Sequence, residues 1–409
     1  MDATTTGPLA GSEEDTVVAT IDRLLDEHPP AQADATEFWG AQFDAGLAWV
    51  HFPVGYGGLG VRPGLQELVN RRLRAAGAPN NYLENFVGVG TAAPTIEAFG
   101  TPEQKQRLLR PLFTCEEIWC QLFSEPDAGS DLASLATSAV RDGDEWVVNG
   151  HKVWTTMGHI ATWGILVART DPAKPKHEGL TYFLLDMNAP GVEVRPLRQI
   201  SGEAEFNEVL FHDVRVPDAM RLGARGDGWR VTIGTLMNER SHNGDSAKGA
   251  RGHGNIGYAM RLWSEFGDDD PARRDELMRL WTESEVIRLT ALRADANRKS
   301  GTPGPEGSVL KLAVGLLPQR IFEFAIELMG PYGQLIGDYD FVQPTRTGED
   351  RMGDGSEDID IVKAFINARS TTIGGGTTEV QKNTIGERIL GLPGEPRPDR
   401  GKPWNEVVR

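Results

Sequence analysis

The chain predicts an α+β fold in three consecutive blocks: helices, a β-rich insert, then helices again. Apolar residues recur at helical spacing from about Val17 to Cys115, and short β-rich runs separated by turn formers take over from about Trp119 to Val216. The helical period returns after GARGDGW. At 409 residues the chain exceeds the size at which a single hydrophobic core usually stops growing, so two or three packed domains are expected. The expected division is a helical N-terminal domain over 1–118, a central β domain over 119–222, a C-terminal helical domain over 223–393 and a tail over 394–409.

The first block is carried by VVATIDRLL and GLQELVNRRLRAAG, interrupted by the glycine-rich turn VGYGGLG, with TPEQK as a helix start. In the second block EWVVNGHKVWTT, ATWGILVART, LTYFLLDM, VEVRPL and NEVLFHDVRVP are strands. The turn formers DGD, NG and NAPG separate them at the intervals of an antiparallel barrel or sandwich. The third block contains VTIGTLMNER, RDELMRLWTESEVIRLTALRADANRK, SVLKLAVGLLPQRIFEFAIELMG and IDIVKAFINAR. Breakers at GLPGEPRP end it, and a poorly ordered tail is expected beyond them.

Composition narrows the function classes. With 42 basic against 59 acidic residues the formal charge is −17, which repels nucleic acid in the absence of a basic face, and no basic run is present. A small anionic ligand remains compatible, because a few arginines and a helix N-terminus hold it locally. The two cysteines, Cys115 and Cys120, are too few for a metal cage. No export or transit signal and no apolar run near the roughly 20 residues of a membrane span is evident, so a soluble, cytoplasmic protein without bound metal is expected.

The segment QLFSEPDAGSDLASL is a strand running into a tight turn that offers backbone N–H groups and the hydroxyls of Ser124 and Ser130 to a ligand. Taken singly, Ser124 reads as a turn residue and Trp154 in NGHKVWTT as a core indole. Their company is more specific. LFSEPDAGSDLASL, NGHKVWTT, VLFHDVRVP, LMNER, LMGPYG and IGGGTTEVQKNTIGERILGLP occur in this order over roughly residues 20–393, and the set resembles the acyl-CoA dehydrogenase family.

That resemblance implies a helical N-terminal domain, a central antiparallel β domain and a C-terminal four-helix bundle, with FAD at their junction. It also implies α,β-desaturation of an acyl-CoA thioester and electron transfer to an electron-transferring flavoprotein. Carried over by position, Gln121, Phe123, Ser124, Gly129 and Ser130 line the flavin, and Ser130 also reaches the pantetheine arm. Trp154, Thr155 and Thr156 match the segment whose indole lies against the flavin, and Thr377, Thr378 and Glu379 match flavin contacts from a helix N-terminus. Gly375 and Gly376 match residues beside the thioester.

The reaction needs a carboxylate base of raised pKa and donors aimed at the thioester oxygen. Many relatives place a glutamate just before the Gly-Thr of the C-terminal loop, and here that position is Gly375. A second branch, resembling isovaleryl- and long-chain acyl-CoA dehydrogenases, carries it on the first long helix of the C-terminal domain, before an arginine. Glu239 and Arg240 occupy those places in GWRVTIGTLMNERSHNG, with Glu239 bordering an apolar stripe of Ile233, Leu236 and Met237. Taken singly, Glu239 reads as a solvated helix glutamate and Arg240 as half of a structural ion pair; by resemblance they are the base and a contact to CoA.

Two departures bear on assembly. The Arg-x-x-Phe-Gly segment that reaches the flavin pyrophosphate across the interface in most relatives is replaced by SAKGARGHGNIGYAMRLWSEFG, and Glu327 stands where relatives tend to carry Gln. A homodimer or homotetramer using Arg251, Arg273 or Arg274 instead, and a heteromer completed by a related subunit, are both open. A flavin oxidase or tailoring enzyme of the same fold, and a non-catalytic partner subunit, are the rival readings.

Overall fold

The computed structural model describes residues 11–243, 249–299, 306–337, 339–345 and 359–407. Helices α1 (Gly11–Glu27), α2 (Ala35–Asp44), α3 (Gln66–Ala75), α4 (Ala93–Phe99) and α5 (Pro102–Phe113) form the first block. A π-helical turn over Gly88–Ala92 leads directly into α4. At TPEQK, Thr101 caps α5 through a reciprocal capping box with Gln104, and Pro102 occupies the first turn, where its missing N–H costs nothing. The Gln104 Nε2 also donates to the carbonyl oxygens of Ala219 at 2.8 Å and Arg221 at 3.0 Å, tying this helix start to the end of the β block.

The β block comprises β1 (Trp119–Leu122), β2 (Ser138–Asp142), β3 (Glu145–Thr156), β4 (Trp163–Arg169), β5 (Leu180–Asp186), β6 (Val192–Pro196), β7 (Phe206–Pro217) and β8 (Arg221–Leu222). The sheet order is β6-β7-β3-β2-β4-β5-β8, with β1 beside β4. Most pairings are antiparallel as expected, but β1 and β2 both run parallel to β4. The strand β1 is entered from a helix rather than a hairpin, so no tight turn dictates its direction. The inner faces hold Trp146, Phe183 and Phe211 in one core and Trp119, Ile165 and Leu184 in another shared with the N-terminal helices.

The last block comprises α6 (Gly228–Asn243), α7 (Asn255–Phe266), α8 (Pro271–Lys299), α9 (Glu306–Met329), α10 (Ile361–Asn367) and α11 (Thr378–Arg388). Its core is organised by α9, whose Leu317, Ile321, Phe324 and Leu328 pack with Ile256 and Ala259 of α7 and Leu277 and Leu280 of α8. On the other side Phe322 meets Ala364 and Ala368. Among the described residues no helix is long and apolar enough to cross a membrane.

The tail departs from expectation. Instead of trailing away, it returns to the β block, where the Trp404 N–H donates to Lys174 O at 2.9 Å and its Nε1 to Ser134 O at 3.2 Å. The Arg169 guanidinium lies 4.2 Å from the Trp404 ring, and Lys176 pairs with Asp399 at 2.7 Å. Glycine and proline end the preceding helix, but one tryptophan with a cation to stack on outweighs a loop-like composition.

Both cysteines are free. Burial pushes the Cys115 thiol up to about 12, with Glu84 adding to it, and raises the wholly buried Cys120 thiol as well. The thiolate is the reactive form, so a colorimetric thiol reagent should modify both far more slowly in native than in denatured protein. Fast native labelling would contradict that packing.

Candidate functional site

The predicted cofactor residues come together in two groups. The first is a wall made by the segment after β1 and the end of β3. Gln121 lies on β1 opposite Ile165, Phe123 is buried, Ser124 is half-buried, and Gly129 and Ser130 are exposed. The turn between them is closed by reciprocal amide bonds of Glu125 and Ala128, each 3.1 Å, and Ser124 O accepts from Val153 N at 2.9 Å. Beneath it Lys152, with no exposed surface, donates to Phe123 O at 2.9 Å and to Glu125 Oε1 at 2.8 Å. Glu125 also accepts the amides of Ala136 at 2.6 Å and Thr137 at 2.9 Å. Burial alone would raise the Glu125 pKa, but the Lys152 charge and these hydrogen bonds hold it below the usual carboxylate range.

The other half of the wall is set by an irregularity in β3. The pairing with β7 shifts between Lys152 and Thr155, and Trp154 at the shift has φ 60°. That turns the indole outward: Trp154 is 60% exposed, its edge held by Phe206 at 5.9 Å. The next side chain, Thr155, points the opposite way and is buried, its Oγ1 without a partner among the described residues, while Thr156 is half-buried. An exposed tryptophan flanking an orphaned hydroxyl is a poor core and a plausible surface for a flat, polar-edged ligand. The rim is extended by the stretch after α9: Ala204 N donates to Val342 O at 2.8 Å, and His159 Nε2 lies 2.8 Å from Pro344 O.

A chain of contacts runs from this wall to α6. The Phe123 ring meets Tyr182 edge-on at 5.9 Å, the Tyr182 hydroxyl lies 3.1 Å from Thr235 Oγ1, and Thr95 of α4 donates to Thr235 Oγ1 at 3.2 Å. Burial raises the Tyr182 pKa, so the hydroxyl keeps its proton as a hydrogen-bond donor. Helix α6 approaches α4 closely because position 234 is glycine; a Cβ there would lie 2.9 Å from the Phe99 ring.

The face of α6 differs from expectation. Of the proposed stripe, Ile233 and Met237 are exposed and only Leu236 packs on the core, whereas Val231, Thr232 and Thr235 are buried. Both inward threonines are satisfied, Thr235 by partners from α4 and β5 and Thr232 by donating to Gly228 O at 2.7 Å. In sequence, position 239 follows Thr235 by four residues and Leu236 by three. Glu239 and Arg240 belong to α6, but their side chains lie outside the described residues.

The second group surrounds the start of α11. Gly375 and Gly376 have φ of 66° and 94°, a region that glycine enters freely. Thr377 caps the helix, accepting from Val380 N at 3.2 Å, and the Thr378 hydroxyl donates to Glu379 at 2.7 Å. Hydrogen bonds from the Thr378 hydroxyl and from its own amide hold the Glu379 carboxyl below its usual range at this helix start. Sequence reasoning missed Gln381, which is 1% exposed with neither amide atom partnered among the described residues, close beneath Gly376. It also missed Tyr182, Thr235, Lys152 and Glu125. The lysine was an available signal, a charge directly before the apolar Val153 and Trp154 in a strand whose other charged residue, Glu145, stands at its start.

Of the substitute arginines, Arg251 stacks on Trp281 at 4.7 Å and pairs with Glu285 at 3.7 Å, Arg273 pairs with Asp268 at 3.2 Å, and Arg274 is exposed. Glu327 is exposed near the end of α9. Among the described residues no cluster of three or more His, Cys, Asp or Glu could hold a metal ion.

Family models described as the N-terminal, middle and C-terminal domains of acyl-CoA dehydrogenase match residues 12–116, 120–214 and 226–390. The chain is similar to acyl-CoA dehydrogenase IpdE1 of Mycobacterium tuberculosis, at 38% identity over 86% of each chain. It is also similar to acyl-CoA dehydrogenase FadE34 of the same organism, at 41% identity over 86% of this chain and 45% of that one. Among solved structures, a chain of the ChsE4-ChsE5 complex from Mycobacterium tuberculosis superposes with a TM-score of 0.69 at 26% identity, covering 97% of this chain and all of that one.

Proposed function

Since this chain belongs to the acyl-CoA dehydrogenase family of flavin-dependent oxidoreductases, we propose that it is a FAD-dependent enzyme desaturating an acyl-CoA thioester with Glu239 as base. The observation that carries the reading is the Phe123–Tyr182–Thr235 chain, which ties the flavin-lining segment to α6 one turn before Glu239. The residues present fit FAD. The outward Trp154 offers a stacking face, the Thr155 hydroxyl is a buried polar atom in need of a partner, and Gln121, Phe123, Ser124, Gly129 and Ser130 complete the wall. Thr377, Thr378 and Glu379 add the helix start.

When bound, FAD supplies the acceptor for the hydride from the β-carbon. Glu239 removes the proton from the α-carbon, and the electron pair left there becomes the new double bond as the β-hydride departs. A general base for this step needs its charged form disfavoured, and exclusion of water by a bound acyl chain is what would supply that to a carboxylate here. The amides of Gly375 and Gly376 approach the thioester oxygen, and Ser130 and Arg240 take the pantetheine arm and the anionic end of CoA. With no side chain at position 375, the space beside the thioester suits a branched or bulky acyl group.

Oligomerisation is supported by α8, which exposes Met278, Val286, Leu289 and Leu292 along one side. The pairing of two different chains in the ChsE4-ChsE5 complex favours the heteromeric form over a homodimer or homotetramer. An electron-transferring flavoprotein takes the electrons onward, in the cytoplasm.

The test is an absorbance spectrum of the pure protein followed by anaerobic addition of a panel of acyl-CoA thioesters. The expected result is a yellow protein bleached by at least one branched or bulky thioester, with slow recolouring in air. A protein that stays colourless with added FAD, both alone and when produced together with a related subunit, would defeat the reading, and fast recolouring would favour the oxidase.

A further inference from the structure

The wall that presents Phe123, Ser124 and Trp154 rests on a group of buried charges. Lys152 and Glu125 are both buried, joined at 2.8 Å, and come from the two segments that make the wall. Lys152 lies two residues before Trp154 on β3, at the edge of the register shift, and its second hydrogen bond goes to the carbonyl of Phe123. Glu125 lies directly after Ser124 and fastens the far side of the turn to the amides of Ala136 and Thr137. A third buried charge, Arg169, secures the end of the same segment through the carbonyl oxygens of Ala133 at 2.6 Å and Leu135 at 3.1 Å.

A buried ion pair is poor evidence of stabilisation, since a hydrophobic pair of similar volume often does as well. What it does provide is fixed geometry: the ammonium binds both a carboxylate and a backbone oxygen, so β3 and the turn keep one spacing. We infer that Lys152 and Glu125 are positioning residues for the flavin, holding the backbone of Phe123–Glu125 at a set distance from Trp154–Thr156. The inference rests on the functional reading above. It assigns the pair no contact with substrate and no proton transfer.

The test compares wild type, Lys152→Met and the double variant Lys152→Met, Glu125→Gln by Tm, by FAD affinity from flavin fluorescence, and by the visible circular dichroism of bound flavin. Lys152→Met should lower both Tm and affinity. The double variant removes the stranded carboxylate, so it should regain most of the Tm while still binding FAD about tenfold or more weakly, with an altered dichroism. A structural role alone would restore all three together, and a double variant with wild-type affinity and dichroism would overturn the inference. Wild-type protein that fails to bind FAD both alone and together with a related subunit would defeat the functional reading and this inference with it; wild-type binding matched by the double variant defeats this inference alone.

Discussion

Replacing Glu239 by glutamine is expected to lower the rate of thioester desaturation about 10²- to 10⁴-fold, the usual contribution of a positioned general base, with FAD still bound. Glutamine keeps the shape of the side chain and removes its basicity. The proposed flavin wall lies on the β block, so its assembly does not pass through position 239. Steady-state turnover with an artificial acceptor, alongside the flavin content of the purified variant, checks both halves. Near-normal turnover would remove Glu239 from the base assignment.

The largest stability effect is expected at Lys152. Lys152→Met strands Glu125 as a buried carboxylate, and breaking a buried pair in this way costs about 3–5 kcal/mol, a large share of the roughly 5–15 kcal/mol that holds a typical protein folded. The pH dependence follows from the carboxylate. In wild type Glu125 is held below its usual range, so the carboxylate's contribution is present above the unfolded value of about 4.3 and is lost as pH falls through the lower folded value. In the variant the lone carboxylate is better tolerated protonated, so the deficit should be largest near neutrality and should narrow in acid. Urea unfolding at several pH values measures this, and a deficit that is constant with pH would show that lost packing, not charge, is responsible.

Local patterns made much of this legible. The period change near residue 119 matched the start of β1, and the Thr101–Gln104 start of α5 was readable because a cap acts within four residues. Long-range polar pairing was not readable. Thr95 and Thr235 meet across 140 residues, and Lys152 and Glu125 across 27, and nothing in periodicity specifies which hydroxyl or charge finds which. The face of α6 was misjudged for that reason, since apolar counting alone puts Ile233 and Met237 inside and leaves the partnered threonines out. The tail was misjudged because Trp404 finds Arg169 and Ser134 in a distant block. At the candidate site the motif singled out Trp154 and Thr155, but the backbone turn that points one outward and the other inward comes from the register shift.

The central claim is that Glu239 withdraws the α-proton, and the most direct measurement isolates that step. An acyl-CoA analogue with sulfur in place of the β-carbon has no β-hydride to lose, so proton removal at its α-carbon can be followed alone by deuterium uptake from heavy water in the FAD-loaded protein. The account predicts uptake with the wild type and almost none with Glu239→Gln. Equal uptake by both would place the base elsewhere.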